Sequence, residues 1–223
     1  EEVNRLTTLG YMERFDTYKE LCDWLGDEPV LSKFGMIVKT KNGVVKKRII
    51  LDGKQSRVTK CASKRERVIL PRVLDVVHDA LRMMADHSRR SSTDWGLEFA
   101  VLDFTDAFWT LPLSIFERKY FVSRLRGSYF AYRRLAQGSR DAPLIWARVA
   151  ALICRLVQAL FHDNEVRINT FVDDPNMCLA GTVAQRNRCL TLIVLCWQML
   201  NFDLAFKKGE KGSSVTWIGS TIP

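Results

Sequence analysis

Apolar and polar positions in the first part of the chain change period several times. They recur at helical spacing over residues 11–26 and over residues 71–87, a stretch that opens with Pro71, and both stretches predict amphipathic helices. Between them, β-rich runs flank the tripeptide "KNG" within residues 35–52, a pattern typical of a β-hairpin. We therefore expect a hairpin between two helices, and its lysines and arginines make it basic.

The second part of the chain alternates strand and helix patterns in an order that indicates one layered sheet. The predicted elements are a strand over residues 97–108, two strands over 118–135, a helix over 142–162, a hairpin over 165–181, a helix over 183–200 and a strand pair over 204–223. Strand, long helix, hairpin, helix and strand form a split βαβ arrangement, which is an antiparallel sheet with two helices on one face. The predicted fold class is α+β, with the basic hairpin in a separate subdomain.

The net charge of +9 is concentrated in two segments of the chain. Residues 33–72 hold 13 lysines and arginines against two acids, and residues 118–140 hold seven against none. A single basic run is usually a solvated face. Two such runs on an otherwise acidic chain favour a groove that binds a polyanion.

Membrane and metal-thiol functions find no support in the sequence. The most apolar stretch, residues 142–161, is interrupted by Arg148 and Arg155, so it lacks the roughly 20 uncharged residues of a membrane span. The six cysteines include no C-x-x-C pair, and the three histidines show no metal-ligand spacing. We therefore expect no membrane partner, and reduced core cysteines in an intracellular protein.

Two adjacent acids interrupt apolar sequence in "TFVDDPNM", residues 170–177. Asp is common in turns for its own hydrogen bonds, but buried carboxylates need a neutralising partner. In a split βαβ sheet the strand that carries Asp103 neighbours the hairpin that carries Asp173 and Asp174, so these acids should converge. Converging carboxylates without histidine favour Mg²⁺ or Mn²⁺, and two such ions about 4 Å apart serve in-line phosphoryl transfer.

Five segments, in order, resemble the motifs of reverse transcriptases from long-terminal-repeat retrotransposons and retroviruses. They are the basic hairpin, "AVLDFTDAFWTLPL" (100–113), "LAQGSRDAP" (135–143), "FVDDPNMCLAG" (171–181) and "LAFKKGEKGSSVTWIG" (204–219). Three positions depart from the family pattern: Phe171 replaces the usual Tyr, Pro175 follows the acids directly, and Asp141 lies in the third segment.

The resemblance implies a right-hand polymerase palm joined to a fingers subdomain. Residues 1–96 would be mainly fingers, with the helix over 71–87 leading into the palm. Residues 97–223 would be mainly palm, with a return to the fingers at about 113–141. We expect neither a thumb nor an RNase H domain within these residues, so the chain resembles part of a longer polyprotein.

The resemblance also implies template-directed DNA synthesis. Asp103 and Asp173 would be the main ligands of two Mg²⁺ or Mn²⁺ ions, with Asp174 as a third carboxylate. The substrates would be deoxynucleoside triphosphates (dNTPs) and a primer on an RNA or DNA template, in a cytoplasmic retroelement particle or in the nucleus. Lys207 aligns best with the lysine that could protonate the departing pyrophosphate, and Lys208 is the alternative.

Further residues would contact the incoming nucleotide through its phosphates, sugar or base. The implied nucleotide-binding residues are Lys41, Arg48, Asp106, Ala107, Phe108, Gln137, Gly138 and Lys207. Lys41 and Arg48 would clamp the phosphates. Phe108 would lie under the sugar and exclude a 2′-hydroxyl, although a single Phe is more commonly a core residue, and Asp106 could equally serve the end of its strand.

Two other functions fit parts of this pattern. A viral RNA-dependent RNA polymerase or a nucleotide cyclase also has a palm, but Phe108 disfavours ribonucleotides and no Gly-Gly-acid-acid cyclase signature is present. A decayed or domesticated copy would bind nucleic acid without catalysis. The presence of Asp103, Asp173 and Asp174 argues against complete decay.

Overall fold

A computed structural model describes residues 1–41, 43–62, 66–88 and 94–222 of the chain, which folds as two compact units. One unit comprises residues 1–67 and 108–144, and the other comprises residues 68–107 and 145–223. In chain order, the helices and strands are α1 (Glu2–Thr8), β1 (Met12–Phe15), α2 (Tyr18–Leu25), β2 (Leu31–Lys41), β3 (Val44–Asp52), α3 (Val58–Cys61), α4 (Val73–Ser88), β4 (Gly96–Val101), β5 (Val122–Leu125), β6 (Ser128–Tyr132), α5 (Ala142–Gln158), β7 (Val166–Phe171), β8 (Asp174–Gly181), α6 (Val183–Met199), β9 (Glu210–Gly212), β10 (Val215–Trp217) and β11 (Ser220–Ile222).

The first unit is built on a five-stranded sheet of order β1-β6-β5-β2-β3. The predicted basic hairpin is confirmed as β2 and β3, whose antiparallel register runs from Lys33 opposite Asp52 to Lys41 opposite Val44. Both basic segments of the sequence supply strands to this sheet, β2 and β3 from one segment and β5 and β6 from the other. A stack of Tyr11, Trp109 and Tyr132 fills the core beneath it.

The predicted helix over residues 11–26 is wrong in its first half. Met12–Phe15 forms strand β1, which pairs antiparallel with β6. The helix begins only at Tyr18, because the Thr17 hydroxyl accepts the Glu20 backbone N–H and the Glu20 carboxylate accepts the Thr17 N–H. This capping box fixes the start of a helix and leaves the residues before it extended.

The second unit is built on a four-stranded antiparallel sheet of order β7-β8-β4-β9, with a separate β10-β11 pair. The predicted helices of this part are confirmed as α4, α5 and α6, and the predicted hairpin as β7 and β8. The predicted strand over residues 97–108 is shorter, because β4 ends at Val101 and a 3-10 helix occupies Ala107–Thr110.

The two helices that the sequence placed on one face of this second sheet, α5 and α6, are confirmed there, since Trp146 of α5 and Trp197 of α6 both contact the Phe104 ring. The opposite face is covered by α4. The Cys154 thiol of α5 forms a hydrogen bond with the Thr170 hydroxyl of β7, which places α5 on one face. The Asp79 carboxylate of α4 accepts hydrogen bonds from Arg167 and Asn169 of β7. These two residues alternate with Thr170 along the strand, so they face the opposite side of the sheet. Both faces are covered because β8 is continuously buried from Pro175 to Gly181 and requires an apolar cover on each of them.

In the part of the chain that the structure describes, no helix is both long and apolar enough to cross a membrane.

Candidate active site

The backbone that follows β4 keeps pairing with the start of β8 and the turn before it, although β4 itself ends at Val101. Val101, the final residue of β4, lies opposite Asn176. The N–H of Leu102 then donates to the carbonyl of Pro175 (3.1 Å), and the N–H of Phe104 donates to the carbonyl of Asp173 (2.9 Å). This register places Asp103 opposite Asp174 and next to Asp173, although they are 70 positions apart in sequence.

A third segment, residues 203–205, is hydrogen-bonded to the other edge of residues 103–105. The N–H of Ala205 donates to the carbonyl of Asp103, and the N–H of Thr105 donates to the carbonyl of Asp203, both at 2.8 Å. Phe104 and Leu204 form an antiparallel bridge between these two bonds. Asp103 therefore lies in the middle of three segments that are bonded through their main chains.

The acids Asp173 and Asp174 lie at the turn between β7 and β8. Phe171 pairs with Asp174, so Val172 and Asp173 are the two central residues of a tight hairpin. Val172 has a positive φ of 56° and Asp173 does not, which is the pattern of a type II′ turn, where glycine is preferred at the first central position. A β-branched residue in that conformation costs on the order of 1–3 kcal/mol, so the surrounding structure must hold the turn.

A lysine side chain neutralises Asp103. The carboxylate of Asp103 is nearly buried, with 12% of the side chain exposed, and it forms an ion pair with the ammonium group of Lys208. Lys208 lies in a 3-10 helix over Phe206–Lys208. Lys207, which the sequence favoured for this neighbourhood, is exposed in that helix, so the residue in contact with the acid is the alternative, Lys208.

Charge repulsion and burial act together on Asp174. Removal from water raises the pKa of the Asp174 carboxyl, and the neighbouring charge of Asp173 raises the same pKa further. Both effects disfavour the ionised form. A cation placed against these acids would relieve both.

The donor chemistry fits a hard divalent cation, since the three acids offer carboxylate oxygens and excess negative charge. The acids do not form a closed ligand set by themselves. Over the described ranges 1–41, 43–62, 66–88 and 94–222, no group of three or more His, Cys, Asp or Glu residues is arranged to hold a metal ion.

Two more predicted residues belong to the same unit as the acids. Asp106 has a left-handed backbone with φ of 48°, a conformation that Asp tolerates better than most residues. Ala107 is buried at the start of the short helix Ala107–Thr110. The chain therefore turns at Thr105 and Asp106, after the paired segment that contains Asp103 has ended.

The remaining predicted residues belong to the other unit. Arg48 is exposed on β3, and the side chain of Lys41 lies outside the described part of the chain. The Gln137 carbonyl accepts the N–H of Leu51, and Gly138 has φ of 96° with the Leu51 carbonyl only 2.8 Å from where a Cβ would lie. Phe108 is half-buried in the 3-10 helix.

The sequence interpretation missed two tryptophans that contact the acid-bearing turn. The indole N–H of Trp146 donates to the Val172 carbonyl, and that of Trp217 donates to the Asp174 carbonyl. The apolar patterns around both residues predict burial. The available signal was that a buried indole N–H requires an acceptor.

Comparison with solved structures shows the class of fold. The chain is similar to a foamy viral protease-reverse transcriptase solved in complex with double-stranded DNA, with a TM-score of 0.67 and 16% identity. The similarity covers 97% of this chain, which spans 32% of the length of the foamy viral chain. The fold is therefore mixed α+β and resembles the palm and fingers of that reverse transcriptase.

Residues 39–222 match the family model described as reverse transcriptase (RNA-dependent DNA polymerase). The chain belongs to this family, whose members are nucleotidyltransferases that bind nucleic acid. No curated protein matches the chain.

The raised pKa of Asp174 predicts a pH-dependent stability. A carboxyl whose pKa is higher in the folded state stabilises the fold below its ordinary pKa and loses that contribution as the pH rises through the raised value. Asp174→Asn should therefore increase the free energy of unfolding at pH 7 in metal-free buffer, and the gain should shrink towards pH 4. Urea titrations across this range measure it. Asp86→Asn, which alters an exposed acid of α4, should change little.

Proposed function

We propose that this chain is the catalytic part of an RNA- and DNA-directed DNA polymerase of a retroelement, of the long-terminal-repeat retrotransposon or retroviral type. The reaction joins a dNTP to the 3′-hydroxyl of a primer on a template and releases pyrophosphate. The observation that carries the proposal is the shared ladder of Asp103 with Asp173 and Asp174, bonded through Leu102 and Phe104. Membership of the reverse transcriptase family supports it.

Asp103, Asp173 and Asp174 would hold two Mg²⁺ or Mn²⁺ ions. When bound, such ions activate the attacking hydroxyl and offset charge on the leaving group. The main-chain bonds on both edges of this segment hold the backbone of Asp103 in place before substrate arrives. Preorganisation of this kind lowers the cost of reaching the reactive geometry.

Lys208 would act where charge develops on the departing pyrophosphate. Its side chain is half-exposed while its ammonium group pairs with the nearly buried Asp103, so the lysine is anchored at the acid and its side chain is accessible from solvent. A lysine in this position can attract the polyphosphate and donate a proton to it. Lys207 remains the second candidate for this role because it lies one residue away.

The first unit would supply most of the nucleotide contacts. Lys41 and Arg48 would clamp the phosphates from the β2-β3 hairpin, and Gln137 with Gly138 would lie against the base pair. The left-handed φ of Gly138 and the proximity of the Leu51 carbonyl exclude a side chain there, which leaves the surface of that turn flat. The N–H groups of Asp106 and Ala107 would hold triphosphate oxygens, and Phe108 would lie beneath the sugar.

The template and primer would be held through their phosphates. Both basic segments supply neighbouring strands to one sheet, β5 beside β2 and β2 beside β3, so their charges can act on one polyanion. Base pairing with the template would carry the sequence information, and phosphate contacts would fix position. The foamy viral structure contains double-stranded DNA, which supports this mode of binding.

Removal of either central acid should abolish synthesis without loss of binding. Asp103→Asn and Asp173→Asn should each lower the rate of primer extension by more than about 100-fold, a loss typical of a group that acts in the transition state. The affinity for a primer–template, measured by fluorescence anisotropy, should stay within about twofold because the basic sheet is unchanged. Asp86→Asn is the matched control. A wild-type chain that binds hybrid but does not extend primers would identify a decayed copy.

Substitution of Lys208 should have a larger effect than substitution of the adjacent Lys207. Lys208→Ala should slow primer extension while it strengthens Mn²⁺ binding by about two- to fivefold, the range for a partly exposed ion pair, because Asp103 loses a competing cation. Lys207→Ala should alter neither quantity to the same degree. Single-turnover extension and Mn²⁺ titration by electron paramagnetic resonance measure the two effects. Equal behaviour of the two variants would contradict the role given to Lys208.

Phe108→Ala should relax the selection of the sugar. Loss of the ring removes a clash with a 2′-hydroxyl, so the ratio of ribonucleotide to deoxynucleotide efficiency should rise by about tenfold or more. The values of kcat/KM for a matched pair of nucleotides measure this ratio. Phe116→Ala, which removes a ring that is 80% exposed, is the control. Equal loss of both substrates would show that Phe108 is a core residue.

A further inference from the structure

Three consecutive carbonyls at the acid-bearing turn each accept a hydrogen bond from a buried donor. The Val172 carbonyl accepts the indole N–H of Trp146 at 2.8 Å. The Asp173 carbonyl accepts the backbone N–H of Phe104 at 2.9 Å. The Asp174 carbonyl accepts the indole N–H of Trp217 at 2.9 Å. The two indole bonds therefore flank Asp173 on both sides along the chain.

The two tryptophans reach the turn from opposite faces of the sheet. Trp146 belongs to α5, and its ring meets the edge of Phe104 at 5.6 Å. Trp217 belongs to β10, and its ring meets the edge of Phe171 at 6.4 Å. Both side chains are almost wholly buried, with 0% and 1% of their surfaces exposed. Donors that are packed this tightly have little freedom to follow a moving acceptor.

The turn requires such support because of its backbone. Val172 is a β-branched residue with φ of 56°, in a position that favours glycine. The bond from Trp146 holds the carbonyl of this same residue. Without it, the strained peptide is free to relax and to carry Asp173 with it.

We infer that Trp146 and Trp217 are positioning residues, which through their indole N–H groups hold the Val172–Asp174 backbone so that the carboxylates of Asp173 and Asp174 keep their place beside Asp103. The inference rests on the proposed function for the role of those carboxylates. The mechanical part, a turn clamped by two indoles, depends only on the bonds described.

The chain contains a matched control for this idea. Trp197 of α6 is also fully buried and meets the same Phe104 ring, at 5.1 Å. Its indole N–H donates no hydrogen bond to any residue that the structure describes. Trp197→Phe therefore removes indole volume next to the site without removal of a bond, whereas Trp146→Phe and Trp217→Phe remove both.

Hydrogen–deuterium exchange of the metal-free chain tests the clamp directly. Amides of residues 171–174 and 176 should exchange about tenfold faster in Trp146→Phe and in Trp217→Phe than in wild type, because each lost hydrogen bond releases the turn. Trp197→Phe should leave this segment near the wild-type rate. Equal exchange in all three variants, or no change in the first two, overturns the inference.

A second measurement tests whether the carboxylates of Asp173 and Asp174 keep their positions. Mn²⁺ affinity, followed by electron paramagnetic resonance, should fall severalfold in Trp146→Phe and Trp217→Phe and stay unchanged in Trp197→Phe. If the phenylalanine variants fail to fold, benzothienylalanine at each position replaces the indole N–H by sulfur and keeps the ring volume. Loss of Mn²⁺ affinity with that residue at positions 146 and 217 but not 197 supports the clamp, and equal affinity at all three positions contradicts it.

The two proposals can fail separately. Exchange of the turn is measured without substrate, so a wild-type chain that does not extend primers while Trp146→Phe and Trp217→Phe loosen the turn refutes polymerase activity and leaves the clamp standing. A wild-type chain that extends primers while those variants exchange like Trp197→Phe refutes the clamp alone.

Discussion

The hydrogen bonds that carry the β4–β8 ladder past its last strand pair are the constraint on which the candidate site depends. Leu102 and Phe104 donate to Pro175 and Asp173, so two distant segments of sequence share one register. A slip of one residue in such a ladder would turn every side chain to the other face. The register is fixed by strand β8, which is buried on both faces over most of its length. The apolar core therefore determines where the acids lie.

The acids make this arrangement electrostatically unfavourable on its own. Asp103 is nearly buried, and both burial and the charge of Asp173 raise the pKa of Asp174. The ion pair with Lys208 offsets part of this cost at Asp103. Sites that break the ordinary rules of burial persist where the surrounding packing over-determines the backbone, and they are typical of function rather than of stability.

Local sequence predicted the elements well where their signals are local. The tripeptide "KNG" and its flanks indicated the β2-β3 hairpin, and the order of strands and helices indicated that Asp103 neighbours Asp173 and Asp174. Strand β1 could not be recognised, because its partner β6 begins at Ser128, more than 110 positions later. Likewise, the two adjacent lysines in a three-residue 3-10 helix differ only in the direction of their side chains. The sequence does not indicate which of the two contacts Asp103.

The indole bonds at the turn illustrate a general problem at the end of a sheet. Inside the ladder, every carbonyl of a central strand finds a backbone donor on a neighbouring strand. At a hairpin turn the neighbouring strand no longer provides these backbone donors. An additional strand paired at the turn would provide them but would also cover the acids. Donors that come from the core, such as Trp146 and Trp217, satisfy the carbonyls from above and below the sheet. The carboxylates of Asp173 and Asp174 then remain partly exposed while their backbone is fixed. Side-chain donors thus allow a turn to be both rigid and accessible, which is the combination that chemistry at a strand end requires.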